Sequence, residues 1–220
     1  MPGDRRRDLL ERARLYLVVD ACPGGRPADE VVRPALAGGV RVVQLRDKEA
    51  GDDEIVAAGR RLRSLCDDHE ALLIVNDRAD LALACRADGV HLGQDDEPLE
   101  AARATVGRGV ILGLSTHTPE QVDAALESPA DYLGVGPVYE TATKPGVPPA
   151  GEGLVRHAAA RATKPFFAIG GIDAVNAARV AAAGATRIAV VRAIRDASDP
   201  EAAARALLEA LDRETTDALG

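Results

Sequence analysis

Tryptophan is missing from this chain, and aromatic residues of every kind make up only 2% of it, as two Phe and three Tyr. The interior must therefore be filled by Ala, Val, Leu and Ile, which supply nearly all of the 46% hydrophobic content and suffice for a sizeable core. Cysteine is scarce too. Cys22, Cys66 and Cys85 are odd in number and lack metal-ligand or redox spacing, so reduced thiols are expected. No apolar run approaches membrane-spanning length. The Arg5-Arg6-Arg7 start leads only to the short run from Leu15 to Val19, with no signal-peptide apolar region or small-residue cleavage site. A cytoplasmic protein is the expectation. Positive charge is in the minority: 27 Lys and Arg against 35 Asp and Glu give a net charge of −8, which argues against non-specific nucleic-acid binding. Any phosphate ligand must meet a local basic pocket. No GxGxxG follows the first strand-like run, where a dinucleotide fold would place one.

What is present is a rhythm. Apolar runs at Leu15 to Val19, Val40 to Leu45, Leu72 to Val75, Gly89 to Leu92, Ile111 to Leu114, Tyr132 to Val135, Phe166 to Ile169 and Ile188 to Val191 read as buried strands. Helical patterns alternate with them: Ala28 to Ala37, Asp53 to His69, Arg78 to Ala84, Pro98 to Val106, Pro119 to Glu127, Leu154 to Ala162, Val175 to Ala183 and Glu201 to Asp212. Thr118 before Pro119 is a start signal of the expected kind. Strict alternation over 220 residues predicts a single (β/α)₈ barrel domain, with about 1–13 and 213–220 as frayed termini. An open doubly wound sheet has the same rhythm and is the second choice.

In such a barrel the reactive groups gather at the C-terminal strand ends. Asp77 follows the third strand and Asp96 the fourth, so both carboxylates can face one point, which suggests magnesium. An Asp there also serves as an ordinary helix N-cap, and Asp95-Asp96 as a solvated turn. After the second strand, Gln44, Arg46 and Lys48 alternate onto one face, which suits a diphosphate as well as it suits a plain basic edge. Ser115, Thr116 and His117 follow the fifth strand, and a lone His beside hydroxyls is more often structural than a base. After the sixth come Thr141, Thr143 and Lys144, then the Pro- and Gly-rich stretch to Gly153. Gly170-Gly171 follows the seventh and Val191-Arg192 the eighth, where many barrels hold a phosphate.

Taken together, QLRDK, NDRAD, GVHLGQDD, GLSTHT, DYLGVGPVYETATK and AIGGID, in this order and spacing, resemble the thiamine phosphate synthase family over nearly the whole chain. The resemblance implies a (β/α)₈ enzyme joining 4-amino-2-methyl-5-hydroxymethylpyrimidine diphosphate to 4-methyl-5-(2-phosphonooxyethyl)thiazole. It implies that Gln44, Arg46, Lys48, Asn76, Ser115 and Lys144 hold the pyrimidine diphosphate and that Asp77 and Asp96 bind Mg2+. Thr141, Thr143, Gly171 and the backbone at Val191 and Arg192 are implied to hold the thiazole phosphate. Arg46, Lys48 and Lys144 would neutralise the leaving diphosphate in a dissociative reaction. One departure stands out: the family has Ser in a VVSAI-like segment after the last strand, where this chain has Arg192. The same resemblance leaves a thiazole tautomerase, with His117 moving the proton, as the nearest alternative. A non-catalytic barrel that binds a phosphate metabolite is a further one. Small-molecule partners are expected, without nucleic acid or membrane, and a homo-oligomer is left open.

Overall fold

A computed structural model describes residues 3–141, 146 and 148–217, the last five by their backbone alone. Eight strands close into a barrel in sequence order, every neighbouring pair parallel: β1 (Leu15–Val19), β2 (Val42–Leu45), β3 (Leu72–Asn76), β4 (Gly89–Leu92), β5 (Ile111–Thr116), β6 (Tyr132–Val135), β7 (Phe166–Ile169) and β8 (Ile188–Val190). The closed ring excludes the open doubly wound sheet. Helix α1 (Gly3–Arg12) precedes the barrel. Around it lie α2 (Ala28–Ala37), α3 (Asp52–Asp68), α4 (Ala79–Ala84), α5 (Leu99–Val106), α6 (Pro119–Glu127), α7 (Gly151–Arg161), α8 (Ala177–Ala182), the single turn α9 (Arg192–Arg195) and α10 (Pro200–Asp217). No described helix is long and apolar enough to cross a membrane.

Alternation along the strands sorts the side chains into two cores. Leu17, Val43, Leu73, Val90, Leu112 and Leu133 point outward and pack under the helices in one continuous apolar layer. The inward positions carry a second cluster: Tyr16 and Val18 from β1, Val42 from β2, Leu72 and Ile74 from β3, Ile111, Tyr132, Phe167 and Ala189. So three of the few aromatic rings stand inside the barrel. Phe167 meets Tyr16 edge-on at 5.2 Å between centroids and Tyr132 at 5.8 Å. Small residues make room for them. A Cβ on Gly89 would press on Ile74 and the backbone of Ile111, and one on Gly113 would run into the rings of Tyr132 and His91.

The expectation of a frayed N-terminus is corrected from Gly3 onward. Helix α1 seats against the N-terminal end of the barrel with Leu10 and the following Ala13 buried in the inner cluster. Arg6 Nε pairs with Asp88 at 2.9 Å, and Arg7 Nε with Asp131 at 2.9 Å. Asp88 is buried, pairs also with Arg63 and accepts the backbone N–H of Leu73 at 3.0 Å. Asp131 binds Arg103 at 2.7 Å and the N–H of Leu112 at 2.8 Å. The basic triplet of the expected frayed terminus thus supplies two arginines, one for the buried Asp88 and one for the partly buried Asp131. Helix α10 likewise runs past the expected end at Asp212 to Asp217. Strand β2 starts at Val42, two residues later than its apolar run, and the Arg41 side chain before it donates to the carbonyls of Leu36 and Val40.

Candidate active site at the C-terminal strand ends

The barrel opens at its C-terminal end into a cavity of about 540 Å³. Its wall includes Gln44, Arg46, Lys48, Asn76, Asp77, Asp96, Ser115, Thr141, Gly171, Val191 and Arg192, contributed by β2 to β8 and the loops that follow them. One cavity thus collects the described residues that the sequence singled out. Thr143 and Lys144 lie outside the described residues.

Each side is set by local geometry. Gln44 shares the inward face of β2 with Val42 and is buried. Beyond the strand, Arg46 N donates to Val19 O at 2.9 Å, which keeps the chain extended by one more residue. Asp47 then turns the loop, accepting from the N–H groups of Glu49, Ala50 and Ala21 at 3.0, 3.1 and 3.1 Å. Lys48 Nζ comes to rest 3.7 Å from Asp77 Oδ2.

Asp77 leaves β3 with a φ of +62, a left-handed conformation rare for a non-glycine residue, held by its N–H donating to His91 O at 2.8 Å. It therefore does not act as an N-cap: the position before α4 is Arg78, which makes no side-chain cap. The carboxyl of Asp77 meets that of Asp96, whose Oδ2 accepts the N–H of Gly93 at 2.6 Å. Burial first, and then the neighbouring Asp96, push the Asp77 carboxyl up to about 6, against the opposing pull of Lys48 and Arg46. Two carboxyls in contact, one of them raised by burial and by its neighbour, fit a divalent cation. Among the described residues no group of three or more His, Cys, Asp or Glu gathers, so the protein offers a pair of hard oxygens. That suits Mg2+, which keeps several waters and takes one or two carboxylates together with substrate phosphates.

On the far wall, Ser115 lies at the end of β5, its carbonyl accepting from Gln94 Nε2 at 2.6 Å. His117 is tied down: its N–H donates to Gln121 Oε1 at 2.7 Å and its Nδ1 to Gly136 O at 2.5 Å. Thr118 caps α6 through the N–H of Gln121 at 3.3 Å, as its position before Pro119 predicts. The Gly170-Gly171 turn is crowded rather than generic. Both residues have positive φ, and a Cβ on Gly171 would strike Glu140 O and Tyr139. Asn176 Nδ2 holds the Gly171 carbonyl at 2.8 Å. Val191 is the residue before α9, its carbonyl accepting from the N–H groups of Ile194 and Arg195 at 3.3 and 3.0 Å, and it lies beside Arg192 and Ala193 in the cavity wall.

The sequence, read against families of known proteins, matches the model described as thiamine monophosphate synthase over residues 15–194. The chain belongs to this family. It is 52% identical over 211 residues to a thiamine-phosphate synthase of Gloeobacter violaceus, covering 96% of this chain and 61% of that protein. The chain thus spans about three fifths of the length of such relatives. Against a thiamine-phosphate synthase of Mycobacterium sp. strain KMS it is 49% identical, covering 96% of this chain and 97% of the relative. A thiamine phosphate pyrophosphorylase from Pyrococcus furiosus superposes with a TM-score of 0.85 at 35% identity, over 96% of this chain and all of that one. A 3-hexulose-6-phosphate synthase from Salmonella typhimurium, 17% identical with a TM-score of 0.66 over 91% of this chain and 99% of that one, shares the fold alone.

Within this family member, the strand-end reading overlooked three residues that line the cavity from below: Tyr16, His91 and Tyr132. His91 alternates inward with Gly89 on a strand that is otherwise apolar, and an inward polar residue on a buried strand was the available signal. Tyr16 and Tyr132 carried none beyond the rarity of aromatics.

Proposed function

We propose that this chain is a thiamine phosphate synthase, condensing the pyrimidine diphosphate with the thiazole phosphate to give thiamine phosphate and diphosphate. The observation that carries the reading is the convergence of Gln44, Arg46, Lys48, Asn76, Ser115, Asp77 and Asp96 on one cavity, with Gly171, Val191 and Arg192 across from them. The first group has the donors and cations for a diphosphate, and the second offers backbone N–H groups and a cation for a monophosphate. Identity of 49% to a synthase of nearly the same length supports it.

The reaction in this reading is dissociative. The C–O bond to the diphosphate breaks first, the aminopyrimidine ring stabilises the methylene cation, and the thiazole nitrogen then attacks. Arg46 forks across the departing oxygens, and Lys48 acts as a point charge beside them, with Lys144 as the third cation. Asn76 and Gln44 orient the pyrimidine half, Ser115 donates to the diphosphate, and Thr141, Thr143 and Gly171 place the thiazole so that its nitrogen lies in line. Asp77 and Asp96 would hold Mg2+, which when bound would supply charge neutralisation to the diphosphate. No side chain is required to act as a nucleophile.

A tautomerase typically lacks the intact diphosphate and metal set, and a non-catalytic binder would keep the phosphate groups without needing paired carboxylates at a metal site. The intact set of Arg46, Lys48, Asp77 and Asp96 therefore favours the synthase. Incubation of the protein with both substrates, with magnesium or with chelator, tests the reading through chromatographic detection of thiamine phosphate.

A further inference from the structure

Five polar side chains on five strands form one unbroken hydrogen-bonded chain beneath the cavity. Gln44 Nε2 donates to Tyr16 Oη at 2.6 Å. The hydroxyls of Tyr16 and Tyr132 lie 2.9 Å apart, Tyr132 Oη is 2.9 Å from His91 Nδ1, and His91 Nε2 is 2.9 Å from Ser115 Oγ. Both ends are residues that the synthase reading assigns to the pyrimidine diphosphate. The three in the middle are buried.

The protons can be placed by counting donors. An amide nitrogen can only donate, so Tyr16 accepts from Gln44, and its own single proton must go to Tyr132, its other polar neighbour. Tyr132 then spends its proton on His91 Nδ1, which must be unprotonated to receive it. A neutral imidazole with a bare Nδ1 carries its proton on Nε2 and gives it to Ser115 Oγ. With a lone pair of Ser115 engaged from below, the Ser115 proton is released for the cavity. A doubly protonated His91 breaks the sequence, because Tyr132 would have to donate to Tyr16 and leave the Tyr16 proton without an acceptor in a buried site. Burial also keeps both tyrosines protonated, well above the ordinary phenol range. Among the described residues, the buried side-chain polar atoms without a partner are Arg63 Nε and Arg187 Nε, neither of them in this chain. The reverse direction demands that Gln44 turn its amide over, and it would leave Ser115 facing an anion with a lone pair.

We propose that Tyr16, Tyr132 and His91 are positioning residues: they fix His91 as the Nε2–H tautomer and aim the Ser115 hydroxyl proton at the bound diphosphate. The identity of that ligand rests on the synthase reading, whereas the direction of the chain does not. The same chain anchors Gln44 Nε2 on the opposite wall, so the groups that meet the two sides of the substrate are set by one network.

The test begins without substrate. In protein labelled with ¹⁵N-histidine, with the ring signals of His91 assigned through a His91→Gln variant, the unprotonated nitrogen is expected at Nδ1 and the protonated one at Nε2. In Tyr132→Phe the Nδ1 resonance should shift, as its donor is gone. Binding of inorganic diphosphate with magnesium is then measured by calorimetry. Ser115→Ala should weaken it about tenfold, the loss of one hydrogen bond to a charged group. Tyr132→Phe should weaken it less, and the double variant should be no worse than Ser115→Ala alone. An Nδ1–H tautomer in the wild-type protein, or losses that add in the double variant, overturns the proposal. Wild-type protein that shows the expected tautomer but binds no diphosphate overturns the assigned ligand, and the synthase reading with it, while the direction of the chain stands.

Discussion

His91 and Tyr132 belong to β4 and β6, which are not neighbours, yet His91 Nδ1 and Tyr132 Oη lie 2.9 Å apart across the intervening strand. The register explains how. His91 pairs with Gly113 on β5, and Gly113 pairs with Tyr132, so the residue between the two rings is the one with no side chain.

Gly113→Ala is therefore expected to damage the site more than the fold. A methyl there collides with both rings, and such overpacking costs roughly 1–3 kcal/mol. Thermal unfolding should fall by several degrees, and synthase activity should drop by far more than that loss of stability accounts for, because Ser115 loses its partner. Activity assayed well below the unfolding temperature separates the two effects.

Asp77 gives a pH signature in metal-free protein. Its folded value of about 6 is above the ordinary 3.8, so the folded state binds the proton more tightly and this contribution to stability is present below the lower value. It is lost as pH rises through about 6, and the lost amount is at most about 3 kcal/mol. With chelator at pH 7, Asp77→Asn should thus be more stable than the wild type, and the difference should vanish by pH 4. Magnesium should raise the melting temperature of the wild type at pH 7 and leave Asp77→Asn unmoved. Melting curves in magnesium and in chelator check both.

At the other end of the barrel, Asp88 is a buried carboxylate bound by Arg6, Arg63 and the N–H of Leu73. Asp88→Ala strands two arginines and should cost about 3–5 kcal/mol in urea denaturation. Removing α1 by deletion of residues 1–12 should destabilise the protein by a similar route. Neither the cavity residues nor magnesium binding in the surviving folded fraction should change.

Arg192 stands where the resemblance to the family leads one to expect Ser. If backbone N–H groups at the start of α9 hold the thiazole phosphate, Arg192→Ser should raise the KM for that substrate only about threefold, the worth of an exposed charge, with kcat unchanged and the effect shrinking in high salt. Steady-state kinetics at two salt concentrations measure it.

How much of this was readable in the residues differs by feature. The strands of the barrel were legible because β1, β4, β6 and β7 are short apolar runs ended by polar or glycine residues, and their bounds coincide with Leu15–Val19, Gly89–Leu92, Tyr132–Val135 and Phe166–Ile169. That the described candidate residues meet in one cavity was legible because barrel geometry gathers the residues just past each strand. Helix α1 was not, since Arg5-Arg6-Arg7 looks solvated until Asp88 and Asp131 arrive from distant strands. Nor was α9, a single turn that is too short for periodicity to register. The Tyr16–Tyr132–His91 link was also hidden, because it depends on the register of β4, β5 and β6 and on the vacancy at Gly113, which no local pattern reports.

In the proposed reaction the groups around this cavity expel diphosphate from one substrate so that the thiazole of the other can attack. Purified protein is incubated with the pyrimidine diphosphate and the thiazole phosphate, with magnesium or with chelator, and diphosphate and thiamine phosphate are followed together. Equal, magnesium-dependent appearance of both products, abolished in Asp77→Ala and Asp96→Ala, is the predicted result. Folded protein that binds both substrates in magnesium but forms no thiamine phosphate would show that this cavity does not carry out the condensation.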